Sequence, residues 1–140
     1  MKEEMVEKIE KVLEEIRELA SKGVPILVEG KRDEKVLRTL GVDGRIIKIS
    51  QQSLNVLIDQ LHRYRRVLIL TDFDKEGEKI AKTLSSLLEL EGTIPIYEMR
   101  NELKHALAGQ VSCIEGIKKT LLRLDKRGLM FGGVKIGRKK

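Results

Sequence analysis

Cysteine is almost missing from this chain. Of 140 residues only Cys113 is one, so no intramolecular disulfide framework can hold the fold. Histidine is nearly as scarce, and His62 and His105 alone cannot complete a zinc site of the finger type. Tryptophan is absent and aromatics make up 3% of residues, so the core has to be aliphatic, built from Ile, Leu and Val. No apolar run approaches the roughly 20 residues that a membrane-spanning helix needs. The acidic start, Met1-Lys2-Glu3-Glu4, lacks the pattern of a secretory signal. These absences leave a chain of single-domain length that can bury one core, expected in the cytoplasm without membrane attachment.

Charge is abundant and unevenly spread. Against 28 Lys and Arg stand 22 Asp and Glu, a net of +6. Residues 1–99 hold 17 basic and 19 acidic side chains, a net of −2, whereas residues 100–140 hold 11 and 3, a net of +8. The excess therefore sits in the C-terminal third, which ends Gly137-Arg138-Lys139-Lys140. Such asymmetry points to a polyanionic partner, nucleic acid or a membrane surface, and equally describes a solubilising tail.

Apolar periodicity divides the chain. Met5, Ile9, Val12, Leu13, Ile16 and Leu19 recur at helical spacing and predict an amphipathic helix within residues 1–22. Short apolar runs follow at 24–28, 45–49, 67–70 and 93–97, separated by helical patterns around Val36–Leu40, Leu54–Leu61 and Ile80–Leu88. Strands alternating with helices predict a parallel α/β sheet over residues 23–100. Pro25 has to lie near a strand start, and Pro95 puts its strand at a sheet edge, because proline cannot donate to the ladder. Residues 101–127 predict two further helices packing on this core. Residues 128–140, with four glycines and four basic residues, read as a flexible or partner-ordered tail.

In open α/β sheets ligands bind beyond the carboxyl ends of the strands. The first strand ends in Glu29-Gly30, with Asp33 following; the third ends in Thr71-Asp72-Phe73-Asp74, followed by Glu76-Gly77. Asp72 and Asp74 project to one side if the segment is extended, and Glu29 joins them if strands one and three are neighbours. Taken singly, such an acid is well explained as a helix cap, Asp33 and Glu76 above all. Three together repel one another and need a cation to stay ionised, and hard oxygen ligands favour Mg2+ or Mn2+. Gly30 and Gly77 would let backbone or a phosphate approach closely. A phosphate-binding loop fails because Pro25 stands where its first glycine belongs and Arg32 where its hydroxyl belongs. A dehalogenase-like phosphotransferase would carry its Asp-x-Asp at the first strand rather than the third.

Val28-Glu29-Gly30-Lys31-Arg32-Asp33, followed about 40 residues later by Thr71-Asp72-Phe73-Asp74-Lys75-Glu76-Gly77, resembles the Toprim domain. That domain is shared by topoisomerases, bacterial primases, recombination-repair proteins and the nuclease that matures 5S ribosomal RNA. The resemblance implies a compact four-stranded parallel sheet flanked by helices, here with an N-terminal helix and a C-terminal helical, basic extension. It also implies that Glu29, Asp72 and Asp74 match the magnesium-binding acids, with Glu29 in addition the general acid/base. The chain looks most like small stand-alone Toprim proteins. Topoisomerase activity does not carry over, because Tyr64 and Tyr97 read as packing residues rather than nucleophiles, and no room remains for a primase's template-binding region.

The expected function is magnesium-dependent action on nucleic-acid phosphodiesters, by cleavage or transfer, with RNA favoured. The alternatives are a non-catalytic, metal-dependent nucleic-acid-binding module, to which a protein partner would lend chemistry, and a small-molecule phosphotransferase. Arg100 and Lys104, four apart at a helix start, are candidates to clamp a phosphate near the acids; Lys135, Arg138, Lys139 and Lys140 are candidates to contact nucleic-acid backbone. His105 reads as a surface histidine and Cys113 as a buried small hydrophobe.

Overall fold

A computed structural model describes residues 2–107, 114–124, 130–131 and 134–135. The chain begins with helix α1 (Lys2–Ser21), and then strands and helices alternate: β1 (Ile26–Val28), α2 (Lys31–Thr39), β2 (Ile46–Lys48), α3 (Leu54–Leu61), β3 (Arg66–Ile69), α4 (Lys75–Leu90), β4 (Ile94–Ile96). Helices α5 (Glu98–Leu107) and α6 (Glu115–Leu124) follow. Gly41 and Gly92 take the left-handed conformation, at φ +90° and +84°, where the chain turns after α2 and α4.

The four strands are all parallel, in the order β2-β1-β3-β4. Alternation along each strand divides the core into two layers. Ile26 and Val28 of β1 and Leu68 of β3 face a cluster with α1, α2, α5 and α6; Leu27, Val67 and Ile69 face a second cluster with α3 and α4. Ile9, Leu13 and Ile16 of α1 are fully buried, so the N-terminal helix is part of the core rather than an appendage. Pro95 lies in β4, at the sheet edge where its missing N–H costs nothing.

This order creates the position that matters for function. From β1 the chain runs through α2 on one face to β2; from β3 it runs through α4 on the other face to β4. The carboxyl ends of β1 and β3 therefore diverge into connections on opposite faces, which opens a crevice between them. Glu29 and Asp72 follow those two strands.

Within residues 128–140 two short strands are described. Met130–Phe131 (β5) and Val134–Lys135 (β6) pair antiparallel, with Met130 opposite Lys135 and Phe131 opposite Val134. Arg138, Lys139, Lys140 and Cys113 lie outside the described residues, as does the side chain of Lys135.

Candidate functional site

Beyond β3 the chain is pinned before it enters α4. Thr71 is fully buried, and its hydroxyl donates to the carbonyl oxygen of Gly77 at 2.8 Å. The Asp74 carboxylate caps α4 by accepting from the Gly77 N–H, also at 2.8 Å. Gly77 has no room for a side chain: a Cβ there would stand 2.6 Å from the carbonyl carbon of Asp72 and closer still to its oxygen. Close backbone approach was expected of both Gly30 and Gly77. At Gly77 it is backbone that approaches, whereas a Cβ at Gly30 would meet only the Ser50 hydroxyl, at 3.9 Å.

Arg100, from α5, braces the same segment. It is 1% exposed, with Nε donating at 3.0 Å to both the carbonyl and the hydroxyl of Thr71. Nη2 donates to the carbonyl oxygen of Asp72 and Nη1 to Glu78 at 2.7 Å, with the guanidinium 5.9 Å from the Phe73 ring centre. The charge-assisted bond from Arg100 holds the Glu78 carboxyl below its ordinary range. Its donors thus positioned on the Thr71–Asp72 backbone, Arg100 is a brace, where a phosphate clamp or a solvated helix face was expected. Lys104 is exposed and reaches Glu78 at 3.3 Å. Nothing in the local sequence distinguishes the buried cation from the exposed one, because burial here depends on where α5 docks.

Glu29, Asp72 and Asp74 lie around the mouth of the crevice, each with one oxygen on a main-chain N–H. Glu29 Oε2 accepts from Asp72 N at 3.0 Å, across 43 residues of sequence. Asp72 Oδ1 accepts from Ile114 N, at 3.2 Å, just before α6. Asp74 Oδ1 takes the Gly77 N–H already described. The second oxygen of each accepts no hydrogen bond among the described residues. Asp33, the third residue of α2, is a fourth acid here; its Oδ2 accepts from Gly30 N at 2.9 Å. Burial first, and then the Glu29, Asp33 and Asp74 carboxylates, push the Asp72 carboxyl up from 3.8 to about 6.

Asp72 and Asp74 were expected to project together from an extended segment. Strand β3 ends at Ile69, however, and Asp74 is already the N-cap of α4, so its carboxylate turns toward the helix. Among the described residues no three His, Cys, Asp or Glu side chains are gathered closely enough to close on an ion. Like charges left to themselves point at N–H donors instead of at one another. The donor set still suits a hard divalent cation: oxygen ligands only, one oxygen each of Glu29, Asp72 and Asp74 uncommitted among the described residues, and a proton affinity at Asp72 that a positive charge would relieve.

The Toprim domain family matches residues 2–104, from the first helix through the brace. The chain belongs to the Toprim family. It is 43% identical over 114 residues to a UPF0292 protein of Pyrococcus furiosus, covering 81% of this chain and 84% of that one. With a UPF0292 protein of Thermococcus gammatolerans it shares 40% identity over 109 residues, covering 78% and 82%. A solved structure of a protein from Aquifex aeolicus superposes with a TM-score of 0.67 at 30% identity, covering 76% of this chain and 95% of that one. Membership in the Toprim family points to a metal-dependent, nucleic-acid-related function. No helix among the described residues is long and apolar enough to cross a membrane.

Proposed function

We propose that this Toprim protein is a magnesium-dependent enzyme acting on nucleic-acid phosphodiesters, with Glu29, Asp72 and Asp74 as its ion ligands and Glu29 as its general acid/base. The observation that carries this reading is the arrangement of acids between β1 and β3, each tethered through one oxygen to a backbone N–H. Tethering fixes where the second oxygen lies without using it, which is how a site is organised in advance of its ligand. A bound divalent cation would polarise a phosphate and stabilise charge on the leaving oxygen. Glu29 Oε1 is the atom to hold or take a proton, since Oε2 accepts from Asp72 N. Arg100 acts through the Thr71–Asp72 backbone and is a positioning residue.

The test is to incubate purified protein with labelled structured RNA, single-stranded DNA and duplex DNA, with magnesium, manganese or chelator. Metal-dependent product should appear on at least one substrate, and Glu29→Gln should keep binding while losing turnover by about 10² or more. Binding without turnover on every substrate would instead support a second reading, a non-catalytic binding module. The net +8 of residues 100–140 favours that module as the source of affinity. No binding and no turnover with any metal would refute both.

A further inference from the structure

One cavity beside the brace has no part in the reading above. It encloses about 410 Å³ between α4 and the start of α5, within the range of roughly 300–1,000 Å³ usual for ligand clefts. The α4 wall carries Lys82, Ser85, Ser86 and two carboxylates, Glu78 and Glu89, and Tyr97 and Asn101 stand beside Arg100 on the other side. Arg100 is shared between cavity and acids, because the same guanidinium donates to the Asp72 carbonyl.

Tyr97 is the unusual wall. In a chain with two tyrosines and two phenylalanines, Tyr64 packs on the α3–α4 core and Phe73 is buried, yet Tyr97 is 41% exposed. Both tyrosines were expected to be packing residues, and Tyr97 departs from that. Asn101 is exposed; its amide both donates and accepts, and Oδ1 already takes a long bond from Arg100 Nη1 at 3.5 Å. The Ser85 hydroxyl is buried and has no hydrogen-bond partner among the described residues, so a polar atom at this wall is unspent there. Lys82 is exposed and, with Glu78 engaged by Arg100, stands against the exposed Glu89 as the free cation of this wall among the described residues.

We propose that this cavity receives an unstacked nucleobase of a single-stranded nucleic acid whose backbone runs past Arg100 toward the acids. The proposal rests on the nucleic-acid reading above and narrows its substrate to single strands. The Tyr97 ring offers a stacking surface that any base can use. The Asn101 amide matches the mixed donor and acceptor edge of a base, which a single strand presents and a duplex keeps paired. Lys82 meets a neighbouring phosphate. A duplex enters only by flipping a base out, at the cost of unstacking it.

Fluorescence anisotropy with labelled oligouridine, oligothymidine and a mixed-sequence duplex tests this, in parallel buffers with magnesium and with chelator. Wild type should prefer both single strands over the duplex. Tyr97→Ala should weaken single-strand binding about tenfold and leave duplex binding unchanged, while Tyr97→Phe should retain the wild-type affinity. Asn101→Ala, at an exposed position, should weaken single strands without changing the melting temperature. Equal affinity of wild type and Tyr97→Ala for single strands would overturn the proposal, as would equal weakening toward single strands and duplex. In either of those cases binding by wild type leaves the nucleic-acid reading standing. Wild type that binds none of the three probes in either buffer removes that reading and the pocket with it.

Discussion

Replacing Gly77 with alanine tests the joint between β3 and α4. The added Cβ would stand 2.6 Å from Asp72 C and 3.0 Å from Asp72 N, and these are backbone atoms that cannot rotate away. Overpacking of this kind costs about 1–3 kcal/mol. Pushing the two segments apart also weakens the Asp74 cap, worth about 1 kcal/mol, and the Thr71 hydroxyl bond to Gly77, worth about 1 kcal/mol. Alanine returns up to about 1 kcal/mol of helix propensity. The net loss is therefore about 3 kcal/mol, or roughly 10 °C in melting temperature for a chain of this size. Gly30→Ala is the control: a Cβ there meets only the Ser50 hydroxyl at 3.9 Å, so the change should stay under about 1 kcal/mol. Thermal unfolding followed by circular dichroism reads both. If Gly77→Ala melts within a degree or two of Gly30→Ala, the tight approach of helix to loop is wrong, and so is the placement of Asp72 that depends on it.

Without divalent cations, stability should fall as pH rises from about 4 to about 6, because folded Asp72 keeps a proton that the unfolded chain, with its carboxyl near 3.8, has already released. The ceiling is about 3 kcal/mol, lowered toward about 1–2 by partial solvation; Asp72→Asn should remove that slope in urea titrations, and a persisting slope would assign it elsewhere. Magnesium competes with that proton, so its stabilisation of wild type should grow with pH through about 6. Differential scanning fluorimetry at millimolar magnesium checks this, with Asp72→Asn and Asp74→Asn showing less gain. Arg100→Lys should cost about 2 kcal/mol in denaturant unfolding, since an ammonium cannot donate to Thr71, Asp72 and Glu78 together; an unchanged midpoint would show that the guanidinium geometry is dispensable. Deleting residues 128–140 removes Lys135, Arg138, Lys139 and Lys140 and should flatten the salt dependence of nucleic-acid affinity by up to about 3 in log–log slope, and an unchanged slope would leave the tail a solubilising appendage.

Much of this architecture is legible in one dimension because its signals are local. The runs around Leu27, Ile47, Ile69 and Ile96 mark the four strands, since a buried strand needs a short, continuous apolar stretch whichever neighbours it acquires. Pro95 marks an edge because its missing N–H is a property of the residue itself. Glu29 and Asp72 are legible as candidates because a carboxylate soon after a strand in an α/β chain lies at the ligand-binding end whatever the strand order.

Other features were decided only by the tertiary structure. Neighbouring β1 and β3 bring Glu29 within a hydrogen bond of Asp72 N, and no feature of either segment encodes that adjacency. The orientation of Asp74 depends on where α4 begins, and capping turned a carboxylate expected beside Asp72 toward Gly77. Arg100 and Lys104 are cations one helical turn apart, yet one is 1% exposed and bound to backbone while the other is exposed, according to the face of α5 that docks. Ile114 N reaches Asp72 from beyond the sheet, across 42 residues. The sequence by itself determined the four parallel strands, the helices between them and the acidic character of the strand ends, because propensity, periodicity and residue chemistry act over a few residues. Only the tertiary structure decided which segments the acids are tethered to, which oxygen of each is spent and which cation is a brace, because a hydrogen bond between distant segments exists only once the strand order and the helix docking have set their separation.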